Sequence, residues 1–173
     1  MTAANVAVGD KALIIERLME DYGDQVLRLC CVYLKDRALA EDAAQDSFVK
    51  AYKALDRAPP TAGQGEKAWL SRIAINTCKD YRRGAWFRRR AKSVPLDQVV
   101  DMTASDGYDA PLLAEVSSLP EKYRVVVLLH YYQGMSAEEI AAALSVSRSS
   151  VYSRLKAAHS MLRANLDRRY SDD

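Results

Sequence analysis

Apolar residues recur along most of this chain at helical spacing. Val26, Leu27, Cys30, Tyr33 and Leu34 fall on one face of a helix. A second stripe, Ala44, Phe48, Ala51, Tyr52 and Leu55, keeps the same period. Asp56 to Glu66 (DRAPPTAGQGE) carries two Pro and two Gly and predicts a loop. A third helix follows, with Trp69, Leu70, Ile73, Thr77 and Tyr81 as its expected buried stripe. Arg72, Asn76, Lys79, Asp80 and Arg83 lie on its opposite face. From about Ala91 to Ala110 no period is sustained, and Pro95, Ser105 and Gly107 mark a linker.

The last third of the chain returns to helix. Pro120 suits the first position of a helix whose apolar face is Val125, Leu128, Leu129 and Tyr132, and Gly134 ends it. Ser136-Ala137-Glu138-Glu139 is a capping box, in which serine hydroxyl and glutamate carboxylate satisfy each other's backbone N–H groups. It starts a short helix reaching Leu144. Ser145-Val146-Ser147 then makes a turn, with Ser147 as N-cap of a longer helix that buries Val151, Leu155, Ala158 and Leu162. Helix, short turn and helix form a helix-turn-helix pattern, with Ile140 and Leu144 against Val151 and Leu155 as its apolar seam.

Composition narrows the function. With 49% hydrophobic and 28% charged residues, the chain is globular rather than disordered. Seven Gly and five Pro are too few for an all-β fold with many turns. No run approaches the roughly 20 apolar residues of a membrane span, and the first residues lack the pattern of a signal peptide. Cys30, Cys31 and Cys78 have no zinc-ligand spacing and read as packed thiols of a reducing, cytoplasmic compartment. HExxH, GxSxG, P-loop and dinucleotide motifs are absent, and His130 and His159 lack catalytic partners. A binding protein is expected, with no catalytic residue, metal, cofactor or small-molecule substrate.

A net charge of only +2 conceals a strong asymmetry. Lys79 to Lys92 holds seven basic residues and one acid, whereas Ser93 to Glu121 holds six acids and no Lys or Arg. The basic run continues the Arg72/Asn76/Asp80/Arg83 face, so one helix presents a polar stripe ending in cations. That stripe is either a solvated helix end or a surface that tracks a nucleic-acid backbone. After Ser147 the exposed face carries Arg148, Ser149, Ser150, Tyr152, Ser153 and Lys156. Cations there neutralise phosphates, while hydroxyls and Lys reach base edges in a major groove. Glu41, Asp42, Gln45 and Asp46 form an acidic face opposite Phe48. Such a face repels DNA and is either plain surface or a docking site for a basic protein.

Three blocks in order decide between these readings by resemblance. AEDAAQDSFVKAYKAL (Ala40–Leu55), AWLSRIAINTCKDYRR (Ala68–Arg83) and the segment Leu119–Arg163 resemble the extracytoplasmic-function (ECF) sigma factors of bacteria. The resemblance implies an all-α fold of two small helical domains: sigma region two over residues 1–90 and region four over 112–173. A flexible acidic linker over 91–111 would join them. It implies that Glu41, Asp42, Gln45 and Asp46 dock on the coiled coil of the largest polymerase subunit. Arg72, Asn76, Lys79, Asp80 and Arg83 would read and help melt the minus-ten element, and Asp56–Glu66 would be the loop that captures a flipped base. Arg148, Ser150, Tyr152, Ser153, Arg154 and Lys156 would face the minus-thirty-five element.

The implied partners are core RNA polymerase, through that coiled coil and its flap, promoter DNA, and an anti-sigma factor that is often membrane-bound. The implied location is the cytoplasm, at the nucleoid or held at the membrane by that factor. Relatives often carry Arg or Lys where this chain has Tyr152 and Ala157. Ser153 and Lys156 are therefore expected to discriminate bases, with Arg154 and the helix start near Ser150 holding phosphates. The rival reading is a stand-alone helix-turn-helix regulator that needs no polymerase.

Overall fold

The computed structural model describes residues 8–60, 64–84 and 110–171. The regular elements among them are all helical. They are α1 (Val8–Leu34), α2 (Arg37–Ala54), α3 (Gln64–Arg83), α4 (Ala110–Ser118), α5 (Glu121–Val127), α6 (Ala137–Leu144) and α7 (Arg148–Ser171), with a π-helical turn at Leu128–Tyr132. The chain divides into two units, Met1–Lys92 and Ser93–Asp173. The basic residues Arg88, Arg89, Arg90 and Lys92 and the expected linker up to Asp109 lie outside the described residues.

In the first unit α1, α2 and α3 pack on one another. Leu29 through Leu34 are each 3% exposed or less, so the end of α1 is covered on every side and forms the centre of the unit. The helix also begins at Val8, well before the predicted stripe at Val26. Among the described side chains of its first half the buried ones are Lys11, Ile15 and Leu18, an i, i+4, i+7 pattern. The exposed apolar residues Leu13 and Met19 blur that pattern in the sequence. Asp36 caps α2, its carboxylate accepting from the Leu39 amide at 3.0 Å. The covered face of α2 is mostly small: Leu39, Ala40, Ala43, Ala44, Ser47, Phe48 and Ala51.

The buried stripe of α3 keeps Leu70 and Thr77 but otherwise differs from expectation. Trp69, Ile73 and Tyr81 are only partly covered, while Leu70, Ala74, Ile75 and Cys78 are buried beside Ser71 and Thr77. The cause is the size of the residues. Ala74 and Cys78 weigh little in an apolar pattern, yet small side chains let neighbouring helices come close, and the stripe turns toward them. Thr77 satisfies its hydroxyl on the Ile73 carbonyl at 2.8 Å. The helix also starts at Gln64, inside the loop expected to run to Glu66. Glu66 sits in its first turn, where the helix dipole favours a carboxylate.

In the second unit α4 starts at Ala110, within the span assigned to the linker, and the sequence stripes did not identify it as a helix. Its last carbonyls are held by a buried arginine: Arg124 Nη1 donates to Ser117 O and Leu119 O, each at 3.1 Å. Pro120 stands just outside α5 as its N-cap, φ −54° and ψ 144°, rather than at the first helical position. Val125, Leu128 and Leu129 are buried as expected, and Tyr132 is partly covered. Gly134 ends the π turn at φ +64°, a conformation that glycine adopts without strain. The capping box forms, with Ser136 Oγ accepting from Glu139 N at 3.2 Å and Glu139 Oε2 accepting from Ser136 N at 2.8 Å. Ser145 closes α6 in the left-handed region, φ 54°. Ser147 Oγ caps α7 by accepting from Ser150 N at 3.1 Å. Ile140, Val151 and Leu155 are buried at the seam, while Leu144 and Leu162, also expected to be buried, are only partly covered.

Candidate nucleic-acid interface

The helix-turn-helix positions the residues of α7 by their helical angle. Val151, Leu155 and Ala158 face the seam, so Arg148, Tyr152, Ser153 and Lys156 stand exposed on the outer side. Ser150 and Arg154 are half-buried on the flank. Arg148 is tied within the motif: its guanidinium pairs with Glu138 at 2.8 Å and lies 5.7 Å from the Tyr152 ring centroid. An exposed pair of this kind contributes roughly 0–1 kcal/mol, so a phosphate can displace it. Ser153, Arg154 and Lys156 make no side-chain bond to a described residue and are ready to take a ligand. The amide of Ser150 is different. It already donates to Ser147 Oγ, so the expected phosphate contact at that amide is occupied by the cap.

The face of α3 is more entangled. Arg72, Asn76, Asp80 and Arg83 are exposed in one row and Lys79 is half-buried beside them. Asp80 is not free, since Lys50 of α2 reaches it at 3.0 Å. On α2, Glu41, Asp42, Gln45 and Asp46 are all exposed. Glu41 is bridged by Arg37 one turn earlier at 2.8 Å. Asp46 accepts from the Tyr81 hydroxyl of α3 at 2.6 Å. Burial raises the Tyr81 phenol above its ordinary value, and the bond to Asp46 and the charges of Asp46 and Asp42 add to the rise. The two sets assigned by sequence to polymerase and to DNA thus share a seam, Asp46–Tyr81 and Lys50–Asp80.

Periodicity missed the supports of the Asp56–Glu66 connection. Lys11, nearly buried, pairs with Asp56 and lies 5.7 Å from the Tyr52 ring centroid. Arg17 grips Glu66 at 2.6 and 3.1 Å and reaches Asp21 at 3.4 Å. The hydrogen bond from Arg17 holds the Glu66 carboxyl below the ordinary glutamate value against the opposing effect of burial. Both described ends of the connection are therefore anchored on α1. A sign was present: Lys11, Ile15 and Leu18 keep a helical period, so the lysine belongs to the covered side. The cysteines are free and buried. Burial above all pushes the Cys31 thiol up to about 12, and the neighbouring Cys78 raises Cys30. Thiols raised in this way are poor nucleophiles. Among the described residues no cluster of His, Cys, Asp and Glu is placed to hold a metal ion, and no helix is long and apolar enough to cross a membrane.

Comparison with known proteins gives this arrangement its class. The sigma-70 region 2 family matches residues 18–88, and the sigma-70 region 4 family matches residues 110–162. The ECF RNA polymerase sigma factor SigE of Mycolicibacterium smegmatis is 31% identical over 181 residues, covering 99% of this chain and 69% of that protein. The RNA polymerase sigma-E factor of Streptomyces avermitilis is 32% identical over 171 residues, covering 94% of this chain and 90% of the relative. Among solved structures, CnrH in complex with the cytosolic domain of CnrY superposes with a TM-score of 0.67 at 26% identity, over 93% of this chain and 92% of that one. The chain belongs to the sigma-70 family, among its ECF RNA polymerase sigma factors.

Proposed function

We propose that this chain is the promoter-specificity subunit of a bacterial RNA polymerase, acting in the cytoplasm by binding, melting and release, without catalytic chemistry of its own. The observation that carries this reading is the pairing, in one chain of ECF type, of an exposed acidic helix face with two cation-bearing ones. Residues 1–90 dock on the core enzyme and open the downstream element. Residues 112–173 read the upstream element as duplex, and 91–111 connect them. Glu41, Asp42, Gln45 and Asp46 meet the coiled coil of the largest subunit, because an anionic face in a DNA-binding protein serves a basic protein partner. Arg72, Asn76, Lys79, Asp80 and Arg83 meet the opened strand, where Asn76 offers both a donor and an acceptor to a base edge. Arg148, Ser150, Tyr152, Ser153, Arg154 and Lys156 meet the upstream duplex. Ser153 and Lys156 are the base readers and Arg154 a phosphate contact, with the flap of the core enzyme as a second protein partner of this region.

A protein inhibitor completes the partner set. CnrH, 26% identical, is seen with the cytosolic domain of CnrY, which supports an anti-sigma factor of this kind for the present chain, one that could hold it at the membrane. Run-off transcription on a library of genomic fragments tests the whole reading. The chain mixed with core polymerase directs initiation at discrete sites that core alone does not use. Binding to duplex sites by the chain alone, with no effect on core polymerase, contradicts it and favours the stand-alone regulator.

A further inference from the structure

Five side chains of α7 stand exposed in one row: Arg148, Tyr152, Lys156, His159 and Arg163. Their spacing of four, four, three and four residues keeps them within an arc of about 80°. At 1.5 Å per residue the row is about 22 Å long, whereas the major groove of B-form DNA is about 12 Å wide. The stretch from Arg148 to Lys156, about 12 Å, fills such a groove. The later members of the row stand where the flanking phosphates run.

His159 belongs to that later half, and a second element holds it there. Its Nε2 is 2.7 Å from the hydroxyl of Tyr131, which lies in the π-helical turn ahead of the helix-turn-helix. Tyr131 is 55% exposed, and its ring is set edge-on against His130 with centroids 4.7 Å apart. His130 in turn donates through Nδ1 to the Met135 carbonyl at 3.0 Å. Backbone, His130, Tyr131 and His159 thus form a chain of contacts that ends in two polar atoms at the surface. No member of the α7 row is acidic, and its two neighbours on the His159 side, Lys156 and Arg163, are cations.

We propose that Tyr131 and His159 form a phosphate-binding site for the DNA backbone beside the upstream element. The site adds the π-helical turn to the DNA surface of the second unit. It rests on the reading of α7 as the helix that faces upstream DNA. A phosphate oxygen accepts either from His159 Nδ1–H, with Tyr131 O–H donating to Nε2, or from Tyr131 O–H, with Nε2–H donating to the phenol oxygen, and Lys156 and Arg163 supply the surrounding positive field. The ligand chemistry is sequence-independent, since a phosphate carries no base information.

Holoenzyme reconstituted from core polymerase and the full chain is the object to test, with duplex promoter fragments recovered by the transcription assay above. The parent's failure to direct initiation there would refute the underlying reading. The present proposal is judged on variants of an active parent. His159→Ala weakens binding by roughly ten- to a hundredfold, the range of one hydrogen bond to a charged partner, and by the same factor for every base substitution in the upstream element. Tyr131→Phe weakens it by less. His159→Lys, which places a permanent cation beside the Tyr131 oxygen, binds at least as tightly as the parent and steepens the salt slope by about 0.9. Unchanged affinity in His159→Ala overturns the proposal, as does a loss confined to one base pair. A loss of affinity for core polymerase, with the DNA affinity of the assembled holoenzyme unchanged, overturns it in favour of a protein-facing role.

Discussion

The two units hold their functional side chains in different ways. In the second unit the turns of the helix-turn-helix are set by near neighbours in sequence, Ser136 with Glu139, Ser147 with Ser150 and Arg148 with Glu138, and one longer contact joins Tyr131 to His159. In the first unit the corresponding side chains are held by partners 30 to 49 residues away, as in Lys50–Asp80, Tyr81–Asp46, Lys11–Asp56 and Arg17–Glu66. On the proposed roles, a unit that reads duplex DNA needs one helix face of accessible cations, and a unit that meets a protein and an opened strand needs two faces and a connection held in fixed relation, which long-range contacts supply.

Charge reversal on α2 is expected to have the largest effect and to split the two roles of that face. Asp42→Lys places a cation against a basic partner, a like-charge juxtaposition that costs several kcal/mol, a hundredfold or more in affinity for core polymerase. Asp42 makes no hydrogen bond to a described side chain, so thermal unfolding should move by no more than ~0.5 kcal/mol. Asp46→Lys should weaken core binding too, and should also lower stability, because it releases the Tyr81 hydroxyl. Co-purification with core polymerase, beside thermal unfolding of each variant, checks both parts. Equal unfolding midpoints for the two variants would show that the seam carries no stability.

A second expectation concerns the buried arginine of the second unit. Arg124→Ala removes the buried guanidinium from the Ser117 and Leu119 carbonyls and should destabilise by about 2–3 kcal/mol, the cost of leaving buried acceptors unpaired. Denaturant unfolding of the full chain, followed by probes in each unit, should show the loss in the second unit alone. Equal losses in both would contradict the division into independent units.

How much of this was legible in the sequence follows from the same contrast. The capping box, the Ser147 cap and the Gly134 stop appear as expected, and so does the seam at Ile140, Val151 and Leu155 but not at Leu144, which is only partly covered. The exposed row on α3 and the acidic row on α2 were also legible, because exposure follows from the period. The buried stripe of α3 was not, since Ala74 and Cys78 carry little apolar weight beside Trp69 and Tyr81. The early start of α1 was hidden by Leu13 and Met19 on its exposed side. The Asp46–Tyr81 and Lys50–Asp80 ties depend on how α2 and α3 pack, which no local pattern encodes.

The Arg17–Glu66 grip gives a smaller, pH-dependent expectation. The Glu66 carboxyl titrates below its ordinary value of 4.5 in the folded chain. A depressed carboxylate stabilises the fold above its unfolded pKa and loses that contribution as pH falls through the folded one. Parent and Glu66→Gln should therefore differ in unfolding free energy at pH 7, and the difference should shrink as pH falls below the ordinary glutamate value of 4.5 and through the lower folded one. A constant difference across that range would mean that the carboxylate charge is not what holds the connection to α1. Smallest of all, Ser145→Gly should stabilise the second unit by roughly 0.5–1 kcal/mol in denaturant unfolding by relieving a left-handed residue.

The division of labour between the two units is tested most directly by sequencing transcripts from a randomised promoter library, with holoenzymes carrying the parent chain, Asn76→Ala or Lys156→Ala. Asn76→Ala should relax preference at one position of the downstream element and leave upstream preferences intact. Lys156→Ala should relax one upstream position by about 1–3 kcal/mol if Lys156 contacts a guanine edge, and leave the downstream element untouched. Parent-like preferences in both variants, or a shift in the element assigned to the other unit, would contradict the account.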